Sequence, residues 1–90
     1  MTDPTVDELI AIAKSADLPS ALVGSGFVTP TFPARDGWKV VVFFDGSDFD
    51  NIEHFIRPDG TVLDPWDWPV SPERDRLCYW RPEKPERGGR

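Results

Sequence analysis

Three closely spaced aspartates in the middle of the chain, Asp45, Asp48 and Asp50, have the chemistry of metal ligands. Carboxylate oxygens suit calcium and magnesium. A calcium-binding loop also needs an acid or amide at its fifth position. Starting the loop at Asp45 puts Phe49 there, and starting it at Asp48 puts Ile52 there. Neither register fits, so the aspartates predict a polar turn and no metal ligand is assigned.

His54 and Cys78 are the other side chains that could take part in catalysis. A catalytic histidine needs a carboxylate that orients it and a nucleophile that it activates. In an extended strand, the neighbouring Glu53 points to the opposite face and cannot easily orient His54. Cys78 stands among apolar and aromatic residues, a setting typical of a small buried hydrophobic residue rather than a reactive thiolate. We therefore assign no catalytic residue and no cofactor.

The segment DPWDWPVSP (64–72) contains two tryptophans, Trp66 and Trp68, between prolines and acids. In an extended segment both indoles would point the same way, and tryptophan is enriched among binding hot spots. The same indoles could instead cover an open sheet face across Val41, Phe43 and Phe55, and the two roles are compatible. We predict a partner-binding surface that joins these tryptophans to nearby acids: Asp45, Asp48, Asp50, Asp64, Trp66, Asp67 and Trp68.

The charge distribution bears on the kind of partner. The chain has a net charge of −6, and Asp45 to Asp67 contains seven acids against one base, Arg57. Binding to a nucleic-acid backbone needs a positive footprint, so this acidic middle argues against it. The acidic middle favours a protein partner with a basic surface. Alternatively, it is a solvated face that only keeps the protein soluble.

Length and composition set the remaining bounds. Ninety residues suffice for one domain. No stretch approaches the ~18 apolar residues that a membrane span requires, and the acidic N-terminus does not resemble a secretory signal. The single cysteine fits a reducing compartment. We expect a cytoplasmic protein that does not enter a membrane.

The first element is predicted to be a helix that begins near Thr5 and ends near Asp17. Thr5 and Glu8 have the spacing of a capping box. Pro19 disfavours helical geometry at the residue before it. The apolar residues recur at helical spacing: Val6, Leu9, Ile10 and Ala13.

WKVVVFF (38–44) is predicted to be the central strand, because both of its faces are apolar at the centre. Before it, GFVTPTFPARDG (26–37) favours extended structure. Pro30 and Pro33 cannot donate ladder hydrogen bonds, which restricts that segment to an edge strand or an extended loop. Asp36-Gly37 predicts a tight turn.

The chain then continues as a meander. DGSDFD (45–50) predicts a turn, NIEHFIR (51–57) a strand, PDG (58–60) a turn and TVLD (61–64) a short strand. Strict alternation along 51–57 predicts two faces: Ile52, His54 and Ile56 on one, and Glu53, Phe55 and Arg57 on the other.

The C-terminal part is less regular. Ser71 as N-cap and Pro72 as first helical residue predict a short helical turn. RLCYWR (76–81) contains residues that favour a last strand. The final segment (82–90) is charged, rich in proline and glycine and free of apolar residues, so it is predicted to be disordered. One domain would thus span 1–81, with a tail at 82–90.

These elements predict an α+β fold, with an N-terminal helix packed on a three- to four-stranded antiparallel β-meander and a disordered C-terminal tail. The expected function is that of a small acidic, non-enzymatic protein-binding module of the inhibitor, immunity or accessory-factor type. Two alternatives stay open. One is a small-molecule or metal-dependent enzyme that uses His54 and nearby carboxylates. The other is a homo-oligomeric subunit, joined through the edge strand near Phe27 to Phe32.

Overall fold

The computed structural model describes residues 4–19, 21 and 26–82, and the predicted tail lies outside them from residue 83 onward. The predicted α+β class is confirmed. Helix α1 (Val6–Ser15) comes first and helix α2 (Pro72–Cys78) last. Between them, the described residues form one antiparallel sheet of five strands: β1 (Phe27–Val28), β2 (Thr31–Pro33), β3 (Lys39–Asp45), β4 (Asp48–Ile56) and β5 (Val62–Leu63).

The predicted capping box sets the start of α1. The Glu8 backbone N–H donates to Thr5 Oγ1 at 3.1 Å, and the Thr5 backbone N–H donates to Glu8 Oε1 at 2.7 Å. The helix ends at the cap residue Ala16, and Asp17 then adopts a positive φ of 55°. Both ends therefore lie where local sequence signals predicted them.

Thr5→Ala is expected to lower the free energy of unfolding by about 1 kcal/mol, because it leaves an N-terminal N–H of α1 without its acceptor. Urea denaturation followed by circular dichroism measures this loss. Thr5→Ser keeps the hydroxyl oxygen and serves as the control, so equal losses for the two variants would contradict this role.

Strand β3 forms the centre of the sheet, with β4 on one side and β5 beyond it. Both β1 and β2 pair with the other side of β3. Their register continues without a shift from Phe27, opposite Asp45, to Pro33, opposite Lys39. The predicted edge strand is thus confirmed, with a short interruption around Pro30.

Two bulges change the faces of β4. Asp50 and Glu53 have no partner on β3, while the residues around them do. Each bulge inserts one extra residue, so the residues of β4 that follow it point to the opposite face from the one that regular alternation predicts. The three buried residues of β4, Phe49, Ile52 and Phe55, are consequently spaced by three rather than two. The prediction that Ile52 shares a face with His54 and opposes Phe55 was therefore wrong.

A single core joins α1, α2 and one face of the sheet. The central strand contributes Val40, Val42 and Phe44, and Trp38, Trp68 and Trp80 pack around the margin. The other members of the cluster are Leu9, Ile12, Ala13, Ala16, Leu18, Phe49, Ile52, Phe55, Leu63 and Leu77.

The opposite face of β3 presents Val41 and Phe43. Among the described residues, Phe43 has one aromatic partner, Phe27, whose ring stacks on it at a centroid distance of 5.6 Å. Trp68 instead packs against the core cluster on the helix side of the sheet. The Trp66–Trp68 segment therefore does not cover Val41 and Phe43. Of the three residues considered for cover from the sequence, only Phe55 belongs to the cluster against which Trp68 packs.

The C-terminal element is a helix. Ser71 Oγ accepts a hydrogen bond from the Arg74 backbone N–H at 3.1 Å, and Pro72 occupies the first turn, as predicted. The predicted strand over 76–81 was wrong, because α2 continues to Cys78 and buries Leu77 and Cys78 side by side. Neither described helix has the length and apolar character needed to cross a membrane.

Candidate functional site

The predicted partner-binding residues lie in two groups. The first is at the tip of the β3–β4 hairpin, where Gly46 and Ser47 form the turn. Asp45 and Asp48 are paired directly across the hairpin, and both are exposed. The Gly46 N–H donates to the Gly26 carbonyl at 2.8 Å, which ties this tip to the start of β1. The tip therefore presents two adjacent carboxylates on a supported turn.

Asp50 lies close to this tip but in a different environment. It is one of the two unpaired bulge residues of β4 and is half-buried. The turn predicted for 45–50 is shorter than expected, since β4 already begins at Asp48. Asp50 belongs to a strand and extends the acidic group along β4.

The second group is the segment from Asp64 to Trp68, which forms a 3₁₀ turn over Pro65–Asp67. Asp64 is half-buried, and its Oδ1 accepts the Trp66 backbone N–H at 2.9 Å. Asp64 thus caps the turn. Asp67 is exposed, and Pro65 is fully buried. Of the two carboxylates in this group, Asp67 is the more accessible.

Trp66 is fixed by polar and aromatic contacts. Its Nε1–H donates to the Ile52 carbonyl of β4 at 2.7 Å. The Tyr79 ring meets it edge-to-face at 5.4 Å between centroids, and the Arg74 guanidinium lies over it at 5.1 Å. A buried indole N–H normally has such an acceptor. Trp66 therefore holds the turn, β4 and α2 together.

The two groups are separated along β4. The Trp66 indole lies beside Ile52, four residues from Asp48, which corresponds to roughly 13 Å at the rise of a strand. Trp68 is half-buried and packs against the core. The structure thus gives both indoles a packing role, and a binding role for any of the seven residues stays a prediction.

His54 lies on the sheet face that points away from the helices. It is half-buried and opposite Val41. No hydrogen bond within residues 4–19, 21 and 26–82 involves its ring. Within the same residues, no group of three or more His, Cys, Asp or Glu side chains is arranged to hold a metal ion.

Cys78 is fully buried on α2. Burial raises the pKa of its thiol, because the charged thiolate is poorly solvated there, and the nearby Arg74 opposes this effect only in part. The side chain is therefore a protonated thiol at neutral pH. This matches the interpretation of Cys78 as a small buried hydrophobic residue.

A cleft of about 600 Å³ lies between the end of α1 and the segment after α2. Its described lining is Lys14, Asp17, Leu18, Trp80, Arg81 and Pro82. None of the predicted partner-binding residues and neither His54 nor Cys78 is among them. Sequence analysis missed this cleft because its two walls are more than 60 residues apart in the chain and meet only in the folded protein.

The outer edge of β4 has contacts with other parts of the chain at several positions. Ala21 forms a bridge to Asp48, and Arg81 Nη1–H donates to the Phe49 carbonyl at 2.6 Å. The Trp66 indole covers the Ile52 carbonyl, and β5 pairs with the end of the strand. The chain itself therefore occupies several positions along this side of β4, and β5 is the last strand of the sheet.

Comparison with known proteins leaves the site to be interpreted from its own geometry. No family model matches the chain, and the searches of curated proteins and of solved structures found no match either.

Proposed function

We propose that this chain is a non-enzymatic protein-binding module of the inhibitor, immunity or accessory-factor type, whose partner is a protein with a basic surface. The observation that supports this proposal is the pairing of two exposed carboxylates, Asp45 and Asp48, across the hairpin tip. We further propose that it acts in the cytoplasm.

The pairing of Asp45 with Asp48 across the hairpin has an electrostatic cost. Like charges directly opposite each other on neighbouring strands destabilise a sheet. A cation from a partner would offset this repulsion, and the net charge of −6 would speed the encounter with a basic surface. The half-buried Asp50 and the exposed Asp67 extend the same negative potential beyond the tip.

The test compares the double variant Asp45→Asn/Asp48→Asn with the wild-type protein. The partner is first isolated by cross-linking in native cells, and its purified form is titrated calorimetrically at low and high salt. Loss of two charge contacts is expected to weaken binding about tenfold and to reduce the salt dependence.

The matched control is Asp17→Asn/Asp36→Asn. Both residues are exposed and have positive φ, a conformation that asparagine tolerates, and this variant changes the net charge by the same amount. Equal affinity loss in both double variants would mean that binding depends on the net charge of the protein and not on the hairpin tip. Unchanged affinity in the hairpin variant would contradict the proposal.

The hairpin variant should also fold at least as well as the wild-type protein. Removal of the repulsion between positions 45 and 48 is expected to raise the free energy of unfolding by about 0.2–1 kcal/mol. Urea denaturation checks this expectation, and a clear loss of stability would show that the two carboxylates have a structural role instead.

A further inference from the structure

Strands β1 and β2 act as one edge strand with a single hydrogen-bonding register. The Gly46 N–H donates to the Gly26 carbonyl, the Val42 N–H to the Pro30 carbonyl, and the Ala34 N–H to the Trp38 carbonyl. All three bonds use even-numbered residues of the edge. Because antiparallel pairing alternates, residues 26, 28, 30, 32 and 34 direct their backbone groups toward β3.

The odd-numbered residues of this edge consequently direct their backbone groups outward. Within the part of the chain that the structure describes, the N–H and carbonyl groups of Phe27, Thr29 and Thr31 have no hydrogen-bond partner, and they recur at regular spacing. The N–H that Pro30 lacks belongs on the β3 side, so its absence interrupts the strand without blocking the outer edge. Pro33 is the proline that lacks an outward donor, and it ends the row.

The composition of this edge is unusual for an exposed strand. Residues 26–34, GFVTPTFPA, contain no charged side chain, although 29% of the whole chain is charged. Proteins commonly protect an open edge with a charge, with proline or by keeping the strand short. This edge has no charge, its two strands are short, and Pro33, the proline that lacks an outward donor, lies at the end of the row. On the opposite side of the sheet, Trp66 and Arg81 contact the outer edge of β4, and β5 pairs with its end.

We propose that a second copy of this chain pairs with this edge in antiparallel orientation, with a two-fold axis at Thr29. The outward row is symmetric about that residue. Thr29 would lie opposite Thr29 of the second copy, and Phe27 opposite Thr31 of the second copy. By symmetry, Thr31 lies opposite Phe27 of the second copy. Each of the resulting three pairs exchanges two backbone hydrogen bonds, which gives six across the axis.

The side chains of the edge fit this arrangement. Phe27 is 71% exposed and Val28 is 44% exposed in the single chain. In the proposed register, Phe27 lies beside Thr31 of the second copy on one face, and Val28 beside Pro30 of the second copy on the other. Both exposed apolar residues thereby gain a neighbour, and no charged side chain is brought into the contact.

The occupant is a second copy because it supplies an edge of the same kind, open and without charged side chains, and charge limits where the two copies can meet. Two molecules that each have a net charge of −6 repel one another over most of their surfaces. The neutral edge is a place where they can approach at close range. An edge contact is small, so we expect a weak dimer that forms at micromolar to millimolar concentration. This surface differs from the acidic hairpin tip, and each can fail independently of the other.

The experiment is sedimentation equilibrium over a range of concentrations, with three variants. The wild-type protein is expected to shift from a mass of 10.2 kDa toward twice that value. Thr29→Lys and Thr29→Asp each place like charges on the two-fold axis and should weaken dimerisation about fivefold or more. An equimolar mixture of the two should form a heterodimer more tightly than either variant forms a homodimer.

Val70→Lys is the matched control, because Val70 is 77% exposed and lies outside the edge. It should dimerise as the wild-type protein does. A wild-type mass that stays at one chain throughout would overturn the proposal, even if the edge bound an extended peptide from another protein. A dimer that is insensitive to both Thr29 variants, or a mixture that does not recover association, would overturn the two-fold register.

Discussion

Phe55→Ala is expected to lower the free energy of unfolding by about 3–5 kcal/mol. Phe55 is fully buried, and the Trp38 ring meets it edge-to-face at 6.3 Å between centroids. Truncation would leave a cavity between β4 and the helix side of the core. A domain of this size is typically stable by about 5–13 kcal/mol, so the loss is a large part of the total.

The informative comparison is His54→Ala, one residue earlier on the opposite face. His54 is half-buried and outside the core cluster, so its truncation should cost about 1 kcal/mol or less. Chemical denaturation of both variants measures the difference. Similar losses at the two positions, or a larger loss at His54, would mean that Phe55 is not the residue of this pair that faces the core.

Trp66→Ala is expected to cost about 3–5 kcal/mol. It removes the indole that packs against Tyr79 and Arg74 and donates to the Ile52 carbonyl. Trp66→Phe keeps most of the ring and should cost about 1 kcal/mol. The loss is smaller because Asn51 Nδ2–H still donates to the same carbonyl at 3.0 Å.

Thermal or urea denaturation of the two variants separates packing from the hydrogen bond. Equal and small losses would show that Trp66 has no structural role and is available for binding. The outcome also matters for any partner-binding experiment. A loss of binding in the alanine variant would reflect unfolding, whereas Trp66→Phe and Asp67→Asn test the binding contribution of this segment in a folded protein.

The acidic tip and the neutral edge lie side by side on the sheet. Phe27 belongs to the edge and is paired with Asp45 of the tip. A basic partner at the tip and a second copy at the edge would therefore be close neighbours. Measuring partner affinity for the Thr29→Lys variant, in which dimerisation is weakened, would show whether the two contacts are compatible.

Features governed by short-range chemistry could be predicted from the sequence. Thr5 and Glu8 specify the start of α1, because a capping box involves residues three apart. Ser71 and Pro72 specify the start of α2 for the same kind of reason. The run of β-branched and aromatic residues specifies β3, and Pro30 and Pro33 confine 26–34 to an edge.

The bulges of β4 depend on tertiary packing. Alternation along 51–57 is a valid expectation for a regular strand, yet Phe49, Ile52 and Phe55 all reach the core because two residues are left unpaired. Burial of three large side chains outweighs the lost ladder bonds, and that balance depends on what lies opposite. Packing also outweighs local propensity in the 76–81 segment. Its residues favour a strand, but α2 continues to Cys78 because the helix buries Leu77 and Cys78.

The same distinction between local sequence and tertiary packing applies to the candidate surfaces. The sequence by itself determined which residues are acidic, aromatic or neutral, and therefore that Asp45, Asp48 and the edge around Thr29 stand out in composition. Only the tertiary structure decided that the Trp66 indole donates to the Ile52 carbonyl and that Arg81 donates to the Phe49 carbonyl of β4. It also decided that the backbone groups of Phe27, Thr29 and Thr31 point away from β3. The reason is that hydrogen-bond partners far apart in the chain are selected by packing, and packing is a property of the whole fold.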